Sequence, residues 1–431
     1  MDAPDPSPVR IGLLGCGNVG GALVQLLTGD PGGLARRTGL RFEITRVAVR
    51  NVARERLVEL PEGSLTHDAE SVVADPDVDV VVELIGGIEP ARKLVLAALK
   101  QGKPVVTANK ELLANVGAEL SEAAATAGVD LLYEASVAGG IPLIRPLRES
   151  LAGERITRIM GIVNGTTNYI LTRMTEDGAS YGDALAEAQG LGYAERDPTA
   201  DVEGFDAGAK AAILATIAFG VDVVAGDVYR EGISGITRGD IDVARRLGYV
   251  VKLLAIVERV DGAVAVRVHP AMIPATHPLA AVRDSFNAVF VEGEAVGELM
   301  LYGRGAGGMP TASAVLGDLV DAAHNLRSRS SGRAGAPRKG RFRAIDELSS
   351  QFYLNLDVVD RPGVLAAVAA VFGEHGVSIR SMEQEGLGDE ARLVFITHRA
   401  LERDVQATLH GLRHLDAVKR IGSLVRVVGP E

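Results

Sequence analysis

The sequence predicts an α/β protein in three parts: a doubly wound parallel-sheet domain at the N-terminus, an α+β middle domain and a small C-terminal α/β domain. Three observations carry this. Residues 9–27 read as a short apolar strand, a glycine turn and an amphipathic helix. The composition is 47% hydrophobic with 51 glycines but only 4% aromatic, as in a protein whose layers pack through Ala, Val and Leu. Residues 351–431 fall into the order β-α-β-β-α-β. A chain of 431 residues is long enough for two or three domains, each with its own core. The net charge of -11 argues against nucleic acid as the main partner. One cysteine, Cys16, excludes a disulfide framework and cysteine-rich metal sites and fits a reducing cytoplasm. The start, M-D-A-P-D-P-S-P, is acidic and proline-rich, and no run of about 18 apolar residues follows. Neither a signal peptide nor a membrane span is expected, and residues 1–8 are expected to be disordered.

The first strand and turn carry G-x-G-x-x-G at Gly15, Gly17 and Gly20, in the strand-turn-helix setting that a Rossmann-type dinucleotide-binding domain requires. The turn, with Asn18 and Val19, lets the backbone approach a pyrophosphate that the helix N-terminus stabilises. Cys16 inside it reads as a small packed residue, with a redox sensor as the alternative. The second strand, 42–49, should end over the adenosine ribose. NAD-binding domains place an acid there for the 2′-hydroxyl; this chain has Arg50 and Asn51, with Arg54 and Arg56 behind. Arginine suits a 2′-phosphate, so NADP(H) is preferred over NAD, which stays possible.

Strand 78–85 (V-D-V-V-V-E-L-I) reads as apolar on both faces, like a buried parallel strand. Helix 89–101 and strand 104–107 follow, ending in T-A-N-K, so Thr107, Asn109 and Lys110 fall beyond a strand end, where open parallel sheets bind ligands. Residues 1–148 form this domain. The middle domain, 149–311, opens with strand 156–163 and N-G-T-T-N-Y-I-L, in which Thr166 or Asn168 could cap a helix. Strands 250–260 and 263–270 have alternating sides that could build a sheet. Gly303 and Gly305, within M-L-Y-G-R-G-A-G-G-M-P-T, have backbone freedom suited to close contact with cofactor or substrate. Helix 312–327 is expected to return to the first domain. Residues 328–349 are basic and rich in Ser, Gly and Pro; a flexible tether suits them better than a nucleic-acid contact.

Chemistry concentrates between Ala188 and Lys210, A-Q-G-L-G-Y-A-E-R-D-P-T-A-D-V-E-G-F-D-A-G-A-K. Asp206 and Lys210 lie four apart, one turn along a helix beginning near Asp206. Gly190, Gly192, Pro198 and Gly204 break regular structure, so Glu195 and Asp201 belong to a loop that can fold back over the helix start. Carboxylates so placed suit a small cationic, hydroxylated substrate, with the lysine moving a proton at its oxygen. The alternative is a solvated acidic turn.

This stretch resembles the homoserine dehydrogenase signature: Ala188, Gly192, Asp197, Pro198, Asp201, Val202, Gly204, Asp206 and Lys210 all fall in place. The resemblance implies that Lys210 is the acid-base residue, and that Gly192, Glu195, Asp201 and Asp206 form the substrate pocket. It places Lys110 near the nicotinamide and substrate. The segment L-L-Y-E-A-S-V-A-G-G-I-P resembles the family's Y-E-A-x-V-x-x-x-I-P stretch. By that likeness the Glu134 side chain and the carbonyls of Val137, Gly139 and Ile141 hold a monovalent cation, sodium or potassium; a metal-free glycine hinge is the alternative. In the family, strands of the middle domain pair subunits, so a homodimer or homotetramer is expected.

The C-terminal part, 350–431, is read as a separate module. Strand 352–359 leads into D-R-P-G-V-L and a helix with Val364, Leu365, Val368, Val371 and Phe372 on one face. The order and the turn resemble an ACT domain, which binds amino acids between paired copies. L-threonine is the effector that the resemblance implies, near Asp360, Arg361, Gly363 and Gly376, although Ser378 replaces the asparagine common in such domains. The whole chain is thus expected to reduce L-aspartate 4-semialdehyde to L-homoserine in threonine, methionine and isoleucine biosynthesis. With no kinase module ahead of Gly15, it is read as monofunctional. An aspartate-semialdehyde dehydrogenase would need a cysteine nucleophile in the catalytic domain, and Cys16 lies in the cofactor turn. A sensor that binds dinucleotide and amino acid without turnover would leave the cluster from Glu195 to Lys210 without purpose.

Overall fold

A computed structural model describes residues 7–331, 336–386 and 388–429. Most of the expected N-terminal tail and residues 332–335 of the expected tether lie outside them. The chain forms two compact units, one of residues 1–159, 209–228 and 287–340, the other of residues 160–208, 229–286 and 341–431.

The first unit holds a six-stranded parallel sheet of β1 (Val9–Leu14), β2 (Phe42–Ala48), β3 (Leu65–Thr66), β4 (Val80–Glu83), β5 (Val105–Thr107) and β6 (Leu131–Leu132). Their order is β3-β2-β1-β4-β5-β6, so the strand order reverses at β1 and β4 as in a doubly wound sheet. Ile11, Leu13, Val80, Val82 and Val106 are fully buried between helical layers. Helix Gly308–Ser328 packs Ala312, Val315, Leu319, Ala322 and Ala323 into that same core. It starts four residues before the expected position, because Gly307, at φ +125, ends the preceding segment. One expectation needs correcting: β4 is not apolar throughout, since Glu83 closes it with no exposure at all.

In the second unit a sheet runs in the order Tyr249–Val260, Ala263–Pro274, Val418–Val427, Ser349–Val359, Glu390–Thr397, Ile379–Gly386. The first two strands form a twelve-residue antiparallel hairpin closed by the turn at Asp261 and Gly262. The expected alternation is absent from Ala263–Pro274, which is buried along eleven of its twelve residues and therefore on both faces. The β-α-β-β-α-β order of the C-terminal part is present, and Phe352, Leu354, Leu356, Val368, Phe372, Leu393, Phe395 and Leu412 form its core. Its sheet also continues into the middle domain. Its last strand pairs in parallel with the middle domain, Ala271 opposite Arg426 and Met272 opposite Val427. Buried Asp240 of the middle domain accepts hydrogen bonds from Tyr353 (3.1 Å), Asn355 (2.7 Å) and Ser423 (2.7 Å). An unpaired sheet edge exposes backbone donors and acceptors, and joining the two sheets satisfies them.

Candidate active site

The dinucleotide half is built where β1 gives way to helix Asn18–Gly29. Gly15 has φ +99, and a Cβ there would lie 2.7 Å from the Leu84 carbonyl oxygen. A Cβ at Gly20 would lie 2.4 Å from the Gly15 carbonyl oxygen, so this glycine lets helix and turn close together. At Gly17 a Cβ would meet nothing within 4 Å, leaving that face of the turn open. The helix has no acidic residue in its first turn, so Asn18, Val19 and their neighbours present N–H groups and a positive dipole end without competition. That arrangement fits the pyrophosphate of a dinucleotide. Beyond β2, Arg50 and Arg54 are exposed. Arg56 instead braces their turn, donating to the carbonyls of Asn51 (2.8 Å) and Arg54 (2.7 Å). Cys16 is half-buried, and burial pushes its thiol pKa up against the opposing pull of Arg56, which is the wrong direction for a nucleophile.

The strand ends beside this turn are organised by Glu83, which sequence reading passed over. Its carboxylate accepts from the Thr107 hydroxyl (2.6 Å) and from the N–H groups of Ile85 (2.8 Å) and Gly86 (3.1 Å). Thr107 in turn accepts from Asn109 N–H (3.0 Å), and the Asn109 side chain donates to the Gly87 carbonyl (2.6 Å). Asn109 also caps helix Lys110–Ala127 through Leu112 N–H (3.1 Å). Thr107 is therefore a buried brace, and Lys110, half-buried, is presented at the first position of a capped helix. The only hint of this in sequence was a glutamate inside an apolar strand.

Glu134 also has a structural task. Its carboxylate accepts the N–H groups of Leu143 (2.5 Å), Ile144 (2.7 Å) and Arg145 (2.7 Å), so both oxygens are used to build the following turn. Glu134 Oε2 takes only one of these bonds, and the buried Val137, Gly139 and Ile141 carry hard carbonyl oxygens, so the four expected groups still suit a cation. Gly303 and Gly305 belong with this turn: a Cβ at Gly303 would lie 3.1 Å from the Ile141 side chain, and one at Gly139 would lie 2.4 Å from the Gly305 carbonyl oxygen. A Cβ at Gly305 would lie 1.9 Å from the Asn287 side chain, so both glycines are needed for close packing. Behind Glu134, buried Asp318 accepts its N–H (2.7 Å) and an Arg145 bond (3.1 Å), yet burial pushes the Asp318 carboxyl up to about 7. A cavity of about 890 Å³ beside it is lined by Tyr133, Arg145, Arg148 and Asn325, and by none of the glycine-turn residues, Lys110 or Lys210.

The second unit gathers the carboxylates. Asp201 lies on the short helix Thr199–Val202 and Asp206 in the first turn of Phe205–Phe219, with Gly204 at φ +79 making the bend between them. Asn164 donates its amide to both, at 2.6 Å to Asp201 and 2.9 Å to Asp206. Its oxygen accepts Thr167 N–H (2.9 Å), so Asn164 is also the cap of helix Gly165–Glu176. The cap expected at Thr166 or Asn168 is corrected: Thr166 donates to the Tyr193 carbonyl (2.6 Å), and Asn168 holds the carbonyls of Val282, Asp284 and Phe286. Glu195 and Gly192 are exposed, the latter at φ +78, on the loop that Gln189 ties down by donating to the Glu195 carbonyl (3.0 Å). Helix Phe205–Phe219 carries Lys210 among alanines; it is 9% exposed. On the C-terminal part, Asp360 and Arg361 form the turn after Ser349–Val359, Gly363 (φ +91) caps helix Val364–Glu374, and Gly376 (φ +70) follows it.

Comparison with known proteins agrees with this layout. Residues 15–134 match the homoserine dehydrogenase NAD binding domain, residues 142–320 the homoserine dehydrogenase domain and residues 352–409 the ACT domain. A homoserine dehydrogenase of Corynebacterium glutamicum is 52% identical over 429 residues, 98% of this chain and 96% of that protein. The crystal structure of a homoserine dehydrogenase from Thiobacillus denitrificans superposes with a TM-score of 0.93 at 42% identity, covering 98% of each chain. A hyperthermophilic archaeal homoserine dehydrogenase in complex with NADPH covers 74% of this chain and 98% of its own, at 28% identity and a TM-score of 0.61. With a glycine turn open to a dinucleotide, paired carboxylates ahead of a buried lysine and full-length relatives of this identity, the chain belongs to the homoserine dehydrogenase family of NAD(P)-dependent oxidoreductases.

Proposed function

We propose that the enzyme interconverts L-aspartate 4-semialdehyde and L-homoserine, with NADP(H) as the preferred cofactor, within the cytoplasmic synthesis of threonine, methionine and isoleucine. The observation that carries this is the Asn164 amide holding Asp201 and Asp206 together at the start of the helix that bears Lys210. Two gathered carboxylates, with Glu195 and Gly192 on the adjoining loop, suit the substrate's ammonium group. Lys210 gives its proton to the oxygen as the aldehyde is reduced, and takes it back in the reverse direction. Its charge stabilises the developing alkoxide, more strongly for being buried. The cofactor supplies or accepts the hydride. Gly15, Gly17, Asn18, Val19 and Gly20 would hold its pyrophosphate and Lys110 would orient its reacting end, while Thr107 shapes the floor through Glu83. Exposed Arg50 and Arg54, and the NADPH complex of the archaeal relative, support the phosphorylated cofactor.

We assign the Glu134 side chain and the carbonyls of Val137, Gly139 and Ile141 to a sodium or potassium ion, with Glu134 also shaping the turn beside them. We read residues 1–148 as the cofactor domain, 149–311 as the catalytic and subunit-pairing domain, and 350–431 as a regulatory domain that binds L-threonine near Asp360, Arg361, Gly363 and Gly376. A homodimer or homotetramer follows from that pairing.

The test is nicotinamide-linked oxidation of L-homoserine with NADP and NAD in parallel, with and without L-threonine. Turnover with NADP that threonine suppresses is expected. Folded protein that binds NADPH but oxidises no homoserine would refute the assignment.

A further inference from the structure

Arg426, on the last strand, is 1% exposed and fully engaged. Its guanidinium donates to Glu402 at 2.9 and 2.7 Å, to Glu231 at 2.9 and 3.0 Å and to the Tyr229 hydroxyl at 3.3 Å. It also lies over the rings of Tyr229 and Phe352, 5.3 and 6.0 Å from their centres. Such a planar fork shared between two carboxylates fixes direction as well as distance. Glu402 heads the second helix of the C-terminal domain. Glu231 belongs to the middle domain, where its N–H donates to the Val268 carbonyl at 2.8 Å.

From Glu231 the contacts continue to the carboxylate turn. A Cβ on Gly232 would lie 2.4 Å from the Val202 carbonyl oxygen and 2.5 Å from Glu203 Oε2, so the two segments touch through their backbones. Ile233 N–H donates to that same Val202 carbonyl at 2.8 Å. A Cβ on Gly204 would lie 3.5 Å from the Glu231 carbonyl oxygen, and the Arg230 guanidinium lies 4.7 Å over the Phe205 ring. Residues 229–233 are therefore held on one side by Arg426 and packed on the other against residues 202–205. That short stretch lies between Asp201 and Asp206.

We propose that Arg426 is a positioning residue for the reaction: by holding Glu231 it keeps residues 229–233 pressed on the Asp201–Asp206 turn, and so gives the C-terminal domain control of substrate affinity. The inference rests on the substrate-binding role proposed above for those two aspartates. Losing the guanidinium leaves buried Glu402 beside half-buried Glu231 without their shared cation, and Glu231, a third exposed, is free to turn toward water.

The experiment is steady-state kinetics of homoserine oxidation on the full chain for wild type, Arg426→Met, Arg426→Lys and Glu231→Gln, with thermal melting to confirm folding. Arg426→Met and Glu231→Gln are expected to raise the homoserine KM about tenfold, the size of a typical coupling between sites, with kcat and the NADP KM nearly unchanged. Arg426→Lys should recover part of the loss. Should Arg426→Met fail to fold, the near-isosteric Glu231→Gln gives the same readout. Folded variants with an unchanged homoserine KM would overturn the proposal, as would a parallel loss in kcat and both KM values. An inactive wild type would instead defeat the proposed function, and this inference with it.

Discussion

Asn164 performs two tasks that two substitutions can separate. Its oxygen caps helix Gly165–Glu176, and its amide nitrogen bridges Asp201 and Asp206. Aspartate caps as well as asparagine does, so Asn164→Asp keeps the first task and replaces the bridging donor by a third carboxylate. Asn164→Ala loses both tasks, and the cap alone is worth about 1 kcal/mol of stability. A hydrogen bond to a charged group contributes about 1.5–3 kcal/mol, so losing the two bridging bonds should displace at least one of the aspartates. A loss of about 3 kcal/mol in transition-state binding corresponds to roughly a hundredfold drop in kcat/KM for homoserine. Both variants should show a drop of that order in the nicotinamide-linked assay. They should differ in pH response. Neighbouring carboxylates raise the pKa of the introduced group, which regains an O–H donor once protonated. The deficit of Asn164→Asp relative to wild type should therefore shrink between pH 8 and pH 6, while that of Asn164→Ala stays constant. Wild-type kcat/KM for Asn164→Asp at pH 8 would refute the bridging role.

Three further outcomes follow from other parts of the chain. Lys210→Ala should lose most of kcat while NADPH affinity, read by fluorescence titration, stays near wild type; a fully active variant would remove the proton-transfer role. Glu83→Ala strands the Thr107 hydroxyl and two N–H groups, and should lower stability by about 2–4 kcal/mol and weaken NADPH binding, checked by melting and titration. Asp318, with its pKa raised from 3.8 to about 7 by burial, binds a proton in the folded state over a range where the unfolded chain has released it. Its contribution to stability therefore falls as pH rises from 4 to 7, by at most about 4 kcal/mol. Asp318→Asn should flatten that part of the stability–pH curve; an unchanged curve would place the ionisation elsewhere.

Much of the architecture was legible because it follows from local pattern. The glycine turn at Gly15, Gly17 and Gly20 requires glycine for reasons visible in the structure: a positive φ, an open face and a close helix approach. The faces of helix Val364–Glu374 follow from spacing, as does the position of Lys210 one turn after Asp206. What escaped was polar and long-range. Glu83 read as one residue inside an apolar strand, and its partner Thr107 is 24 residues away. Asn164 sat in a turn with two other plausible caps, and only folding brings Asp201 and Asp206 to its amide, 37 and 42 residues on.

The sequence by itself determined the apolar face of helix Val364–Glu374, the dinucleotide turn and the order of carboxylates before the lysine, since each depends on residues within a few turns of one another. Only the tertiary structure decided that the C-terminal part shares a sheet with the middle domain. That union brings Arg426 to Glu231, 195 positions earlier, and one sheet edge to another. Hydrophobic periodicity records which face of an element is buried; it does not record which buried charge will meet it there.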